Sequence, residues 1–105
     1  MNINWLSFAA AGGGTLTYTT ADYTATVTKN GTSETITFTP TTAAQYVDLH
    51  YLVNGAEQQN FRMTKSGASW TYKIPNLTTG QSLEIWFTYE KGGPQYDSPH
   101  YTYTH

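Results

Sequence analysis

The sequence predicts an all-β protein, a single-domain antiparallel β-sandwich of about eight strands with an immunoglobulin-like arrangement. Apolar and polar residues alternate with a period of two through most of the chain. These segments recur at roughly 8–12-residue spacing and are separated by turn residues, which is typical of a sandwich. No segment keeps apolar residues at helical spacing for long enough to predict a helix. A closed barrel is the alternative.

Each predicted strand has one apolar face. Tyr23, Ala25 and Val27 alternate with threonines, and later strands repeat the pattern with Ile36–Phe38, Val47–Leu49–Tyr51–Val53, Phe61–Met63, Trp70–Tyr72–Ile74 and Leu83–Ile85–Phe87–Tyr89. The predicted strands are 15–19, 23–30, 34–39, 45–54, 57–65, 69–75, 82–90 and 99–104. Turn residues separate them at Asn30-Gly31, Asn54-Gly55, Ser66-Gly67, 76–80 and Gly92-Gly93-Pro94.

The composition agrees with this fold class and with one domain. Of the 105 residues 20 are Thr, and aromatic residues reach 15%, so the strands are rich in β-formers. A chain of this length buries one hydrophobic core. We predict a linker-like N-terminal extension at 1–14, which includes an Ala/Gly stretch at 9–14, and a sandwich domain at 15–105.

Charge and cysteine content exclude several functions. The formal net charge is −2 and the five Lys and Arg residues are scattered, which argues against nucleic acid and against an anionic membrane surface. The sequence has no apolar run near the roughly 20 residues that a membrane helix needs. With no Cys, the chain has no disulfide, thiolate nucleophile or Cys-bound zinc.

Trp86 lies on the unexpected face of its predicted strand. Leu83, Ile85, Phe87 and Tyr89 form the apolar side of 82–90, so Trp86 points to solvent with the Glu residues. In 45–54 the same alternation places Asp48 and His50 on the solvent side. A flat indole can pack against the C–H face of a pyranose, and a carboxylate and an imidazole can bond its hydroxyls. A glycan site of these three residues requires that the two strands be neighbours.

Other interpretations of these residues are weaker. Cross-strand pairing on a surface would explain Asp48 and His50 without a ligand. A metal site would have too few ligands, because Asp48 and His50 supply only two and the other histidines, His100 and His105, lie at the far end of the chain. Paired catalytic carboxylates are not indicated, because Glu84 and Glu90 are too far apart along their strand. We therefore predict no catalytic residue, no metal and no cofactor.

The segment 89–101 is predicted to be a long connection with Tyr96 and Asp97 at its tip. Pro94 and Pro99 stiffen it on either side. Because binding residues often lie in loops on a firm scaffold, we expect this loop to form one wall beside the Trp86 strand.

Two blocks of the sequence resemble carbohydrate-binding module family 56. The first comprises 46–51, 58–63 and 70–72, and the second runs from 86 to 103; the similarity covers about 15–104. The resemblance implies a β-sandwich without catalytic activity that binds polymeric β-1,3-glucan of the laminarin or curdlan type. It implies glucan contacts for Asp48, His50 and Trp86. Such modules usually occur appended to β-1,3-glucanases.

The expected function is thus β-1,3-glucan binding, with Trp86 stacked on glucose and Asp48 and His50 bonding hydroxyls. The second-rank contacts are Gln58, Asn60, Arg62, Glu84 and Tyr96. An immunoglobulin-like structural or protein-interaction domain is the alternative, in which Trp86 and the threonine faces contact another protomer. Expected partners are the glucan, a second copy of the chain or a fused glycoside hydrolase. The expected location is extracellular, within a secreted protein; a free-standing cytoplasmic lectin is the alternative.

Overall fold

The computed structural model describes residues 15–105 and, before them, the backbone of one strand at 5–7. The strands are β1 (Trp5–Ser7), β2 (Thr15–Thr19), β3 (Tyr23–Asn30), β4 (Ser33–Pro40), β5 (Val47–Val53), β6 (Gln59–Arg62), β7 (Thr64–Ser66), β8 (Ser69–Ile74), β9 (Ser82–Glu90), β10 (Gln95–Asp97) and β11 (His100–Thr104). The predicted extension at 1–14 lies outside the described residues, apart from the backbone of β1.

The strands form two sheets that pack as a sandwich. The first sheet has the order β1-β11-β9-β5-β6, with β10 pairing the far end of β9. The second has the order β2-β3-β4-β8-β7. The described pairings are antiparallel except that of β1 with β11, which is parallel. The predicted all-β sandwich is confirmed. In the part of the chain that the structure describes, no helix of membrane-spanning length and hydropathy occurs.

Aromatic rings fill much of the space between the sheets. Tyr23 stacks on Phe38 with ring centroids 4.6 Å apart, and Phe87 lies 4.9 Å from Phe38. The hydroxyls of Tyr23 and Tyr101 are hydrogen-bonded to each other. Burial raises the pKa of both phenols, because it disfavours the charged form. The core thus contains neutral, paired phenols as well as aliphatic groups.

Threonine covers the outer face of the second sheet. In register, one row crosses all five strands as Thr17, Thr26, Thr37, Thr71 and Thr64. This row explains the high Thr content, since β-branched residues suit the solvent face of a sheet.

Two predictions about single segments were wrong. The segment 57–65 is not one strand, because buried Met63 separates β6 from β7. Its N–H donates to the carbonyl of Val47 at 2.8 Å, and there the chain passes from the first sheet to the second. Residues 95–97 are not a loop tip either. They form β10, in which Tyr96 pairs with Tyr89 and Asp97 with Thr88.

The last residue of the chain is fixed inside the domain. His105 donates its backbone N–H to the carbonyl of Gln81 at 2.9 Å. Its Nδ1 is paired with the carboxylate of Glu34, and both side chains are fully buried. A buried His–Glu pair therefore joins β4 to the residue after β11.

Candidate functional site

The outer side of the first sheet carries the predicted site. β9 lies between β5 and β11, so the adjacency on which the glycan hypothesis depended is present. His50 is directly opposite Trp86 on one side, and His100 follows on the other because Tyr101 is opposite Ile85. We use the name polar face for the outward-pointing residues of β5, β6, β9, β10 and β11 around Trp86. They are Asp48, His50, Asn60, Arg62, Glu84, Trp86, Thr88, Asp97 and His100.

Trp86 stands between two imidazole rings. The ring of His100 is nearly parallel to the indole, at 6° and with centroids 4.0 Å apart. His50 lies on the opposite side at 5.4 Å and 29°. The N–H of His100 Nδ1 donates to Glu84 Oε2 at 2.7 Å, which fixes that ring. The three rings form a ridge across β11, β9 and β5.

Both ring nitrogens of His50 have partners within the protein. Nε2 is hydrogen-bonded to Thr88 Oγ1 at 2.8 Å, and the Thr88 hydroxyl donates to Asp97 Oδ1 at 2.7 Å. Nδ1 is hydrogen-bonded to Asn60 Oδ1 at 2.6 Å, and Gln58 Nε2 donates to the same oxygen at 2.7 Å. His50 is therefore held from both ends, and it can bond a sugar hydroxyl only by exchanging one of these partners.

Asp48 and Arg62 form a cross-strand ion pair beside the ridge. Arg62 Nε donates to Asp48 Oδ1, and a second, longer contact joins Nη2 to Oδ2 at 3.4 Å. The guanidinium also lies over the ring of Tyr46, 4.7 Å from its centroid. The hydrogen bond from Arg62 to Asp48 raises the pKa of the guanidinium, so the group keeps its positive charge. The pair offers a sugar both acceptor and donor groups.

Seven of the eight predicted site residues lie on the polar face or border it. Gln58 borders it through Asn60, whereas Tyr96 points elsewhere. Because Tyr96 pairs with Tyr89, an inward residue, its ring lies 5.9 Å from that of Tyr89 and away from Trp86. Its neighbour Asp97 takes the position on the polar face.

Three residues of the polar face were not among the predicted glucan contacts. Thr88 shares the face of Trp86 by alternation and could have been found that way. Asp97 and His100 could not, since their positions depend on how β10 and β11 pair with β9. His100 is distant from Trp86 in sequence but adjacent to it in the sheet. Among residues 15–105, no group of three or more His, Asp or Glu side chains could hold a metal ion.

The sequence matches the model of a known family, described as carbohydrate binding module family 56, over residues 24–98. The chain belongs to this family. Family 56 modules bind carbohydrate and are not catalytic, so this chain is a non-catalytic carbohydrate-binding module.

Solved structures of family 56 modules agree with the fold. The Br derivative of the module BhCBM56 is 46% identical with a TM-score of 0.82, and the match covers 85% of this chain and 98% of that one. A family 56 β-1,3-glucan binding domain is 34% identical with a TM-score of 0.71, covering 79% of this chain and 99% of the other.

A longer enzyme contains a similar region. The family 64 laminaripentaose-producing β-1,3-glucanase from Paenibacillus barengoltzii, complexed with laminarihexaose, is 34% identical with a TM-score of 0.73. The match covers 79% of this chain but only 20% of the glucanase, so the module corresponds to about a fifth of that protein.

Proposed function

We propose that this module binds β-1,3-glucan on the polar face, around the ridge formed by His50, Trp86 and His100. The observation that carries the proposal is the position of the indole. It stands on the outer side of the first sheet, beside hydroxyl, amide and charged groups rather than among apolar ones. Relatives described as β-1,3-glucan binding, or as a β-1,3-glucanase, support the choice of polymer.

Imidazole rings cover both faces of the indole, so the glucan lies across the edges of the three rings, and the expected stacking of the Trp86 face on glucose is replaced by edge contact. A sugar between Trp86 and His50 would need contacts of about 3.5–4.0 Å on each side, or roughly 7–8 Å between the rings. The observed separation is 5.4 Å. Widening it would break the two hydrogen bonds of His50, at a cost of about 0.5–1.5 kcal/mol each. Contact along the exposed ring edges avoids this cost.

Polar groups beside the ridge bond the sugar hydroxyls. Asp48 accepts hydrogen bonds and Arg62 donates them, and charge-assisted bonds of this kind are the stronger ones. Asn60 and Gln58 border the ridge at His50, and Glu84 borders it at His100. A few such bonds and one small aromatic surface, offset by the entropy of association, correspond to about micromolar to millimolar affinity for one site. Several modules on one polymer would raise this by avidity.

The test is sedimentation with insoluble polysaccharides. The native protein is expected to bind curdlan and to remain in solution with cellulose, chitin and xylan. Trp86→Ala should lose curdlan binding with little change in melting temperature, because the indole is only half-buried. The matched control is Phe61→Ala, which removes another exposed ring, at the β6 edge and off the polar face.

Two results would contradict the proposal. One is curdlan binding by Trp86→Ala equal to that of the native protein. The other is no glucan binding by the native protein, together with a dimer that buries Trp86, as the protein-interaction alternative predicts. We further propose that the module works outside the cell as part of a secreted glucan-degrading protein, as the match within the glucanase suggests.

A further inference from the structure

A cavity of about 230 Å³ opens at the rim of the sandwich, next to the polar face. It lies between the turn that joins β2 to β3 and the segment that joins β10 to β11. Its wall includes Ala21, Asp22, Tyr89, Asp97 and Pro99. We call it the rim cavity. The volume suits one sugar ring better than a drug-sized ligand, which typically needs about 300–1,000 Å³.

The carboxylate of Asp22 is held in place at the cavity wall. The Tyr89 hydroxyl donates to Oδ2 at 2.8 Å, and Lys91 Nζ donates to Oδ1 at 2.7 Å. The hydrogen bonds from Lys91 and then Tyr89 lower the pKa of Asp22, so the group stays ionised at neutral pH. A carboxylate can accept about four hydrogen bonds, and two of these are used. The remaining lone pairs suit hydroxyl donors.

Asp97 connects the rim cavity with the ridge. Its Oδ1 accepts from Thr88, and Thr88 is in turn hydrogen-bonded to His50, through contacts of 2.7 and 2.8 Å. Asp97 also lines the cavity, so a chain of two hydrogen bonds, through Asp97 and Thr88, connects the cavity wall to the His50 ring. Ala21 and Pro99 add apolar surface of the kind that packs against sugar C–H groups.

We propose that the rim cavity is a second glucan subsite, which takes a glucose residue of the same chain that lies across the ridge. This inference rests on the proposed function. Its hydroxyls would donate to the carboxylates of Asp22 and Asp97. The chemistry favours a neutral polyol over a cation, since the ammonium group of Lys91 already neutralises Asp22.

The test compares two substitutions of exposed alanines that each fill a cavity. Ala21→Phe occupies the rim cavity, and its matched control is Ala43→Phe. Ala43 lines a second cavity of about 230 Å³, whose wall contains no residue of the polar face. Affinity for laminarin is measured by titration calorimetry, with the melting temperature of each variant as the check on folding. We expect Ala21→Phe to weaken binding about 5- to 10-fold and Ala43→Phe to change it less than twofold.

A second variant covers the case in which Ala21→Phe does not fold. Asp22→Asn keeps the shape of the side chain and removes its charge, and it is expected to weaken laminarin binding at least threefold. Unchanged laminarin affinity in a folded Ala21→Phe protein would overturn the subsite, and so would unchanged affinity in Asp22→Asn. Calcium chloride that binds the native protein and competes with laminarin would also overturn it, in favour of a cation site.

Failure of the subsite and failure of the proposed function give different results. If Trp86→Ala abolishes laminarin binding while Ala21→Phe leaves it intact, only the subsite is wrong. If Trp86→Ala binds laminarin as tightly as the native protein, the ridge is not the glucan site and the proposed function itself is wrong.

Discussion

Replacing Thr88 by Val tests whether the orientation of His50 matters for binding. Thr88 is 9% exposed, and its hydroxyl links His50 Nε2 to Asp97 Oδ1. Valine has nearly the same shape but no hydroxyl, so the substitution removes two hydrogen bonds without leaving a cavity. The Nε2 side of the imidazole then has no partner, and the ring is held only by Asn60.

The size of the effect follows from these contacts. Each hydrogen bond contributes about 0.5–1.5 kcal/mol, and Asp97 is exposed enough to regain water, so we expect a loss of about 1–2 kcal/mol in the free energy of unfolding. For a domain of this length, that lowers the melting temperature by roughly 4–12 °C. Because the His50 ring loses its hydrogen bond at Nε2 and with it a fixed orientation, the affinity for laminarin should also fall about 3- to 10-fold.

The assay combines urea unfolding with laminarin titration, and Thr88→Ser is the control. Serine keeps the hydroxyl, so its affinity should match that of the native protein even if its stability falls slightly. Native laminarin affinity in Thr88→Val would contradict this role, since His50 would then need no fixed orientation. Equal losses of affinity in the Val and Ser variants would also contradict this role, because the serine hydroxyl would then fail to preserve binding.

Three further predictions concern the histidines and the buried tyrosines. His105→Ala should lower the free energy of unfolding in urea by about 3–5 kcal/mol, because it leaves the buried Glu34 carboxylate without its histidine partner. His100→Ala removes a partly exposed pair with Glu84 and should lower it by less than about 1 kcal/mol. Equal losses in the two variants would contradict this contrast. His100→Ala should instead red-shift Trp86 fluorescence and weaken curdlan binding several-fold, and native affinity would remove His100 from the site. Burial raises the pKa of Tyr51 and Tyr103 to about 12. The free energy of unfolding should therefore be constant below pH 10 and fall between pH 10 and 12, as the phenols of the unfolded chain ionise, by up to roughly 1.4 kcal/mol per pH unit for each tyrosine. Urea midpoints that stay constant to pH 12 would refute this.

Alternation in the sequence was sufficient to predict most of the fold. The boundaries of β2, β3 and β9 agree with the prediction, because more buried and more exposed residues alternate along most of each strand. β10 was missed because it has three residues and follows a Gly-Gly-Pro turn, too short a segment to show a period. The break at Met63 was missed because a buried apolar residue fits the pattern of a continuous strand equally well.

The candidate site shows a similar limit. Alternation placed Asp48, His50 and Trp86 on outward faces, but it cannot state which strands are neighbours. Pairing of β9 with both β5 and β11 is a tertiary property, and it brings His100 against Trp86 from far along the chain. Nor could the sequence show that both nitrogens of His50 are already bonded within the protein.

The most direct test of the glucan site is a titration of ¹⁵N-labelled protein with laminarin, followed by NMR. If glucan binds on the polar face, the indole N–H signal of Trp86 and the backbone amide signals of His50 and Thr88 shift or broaden. Signals of Thr26 and Thr37, on the outer face of the opposite sheet, should stay unchanged. Perturbed signals on the threonine face with an unchanged Trp86 signal would contradict glucan binding on the polar face.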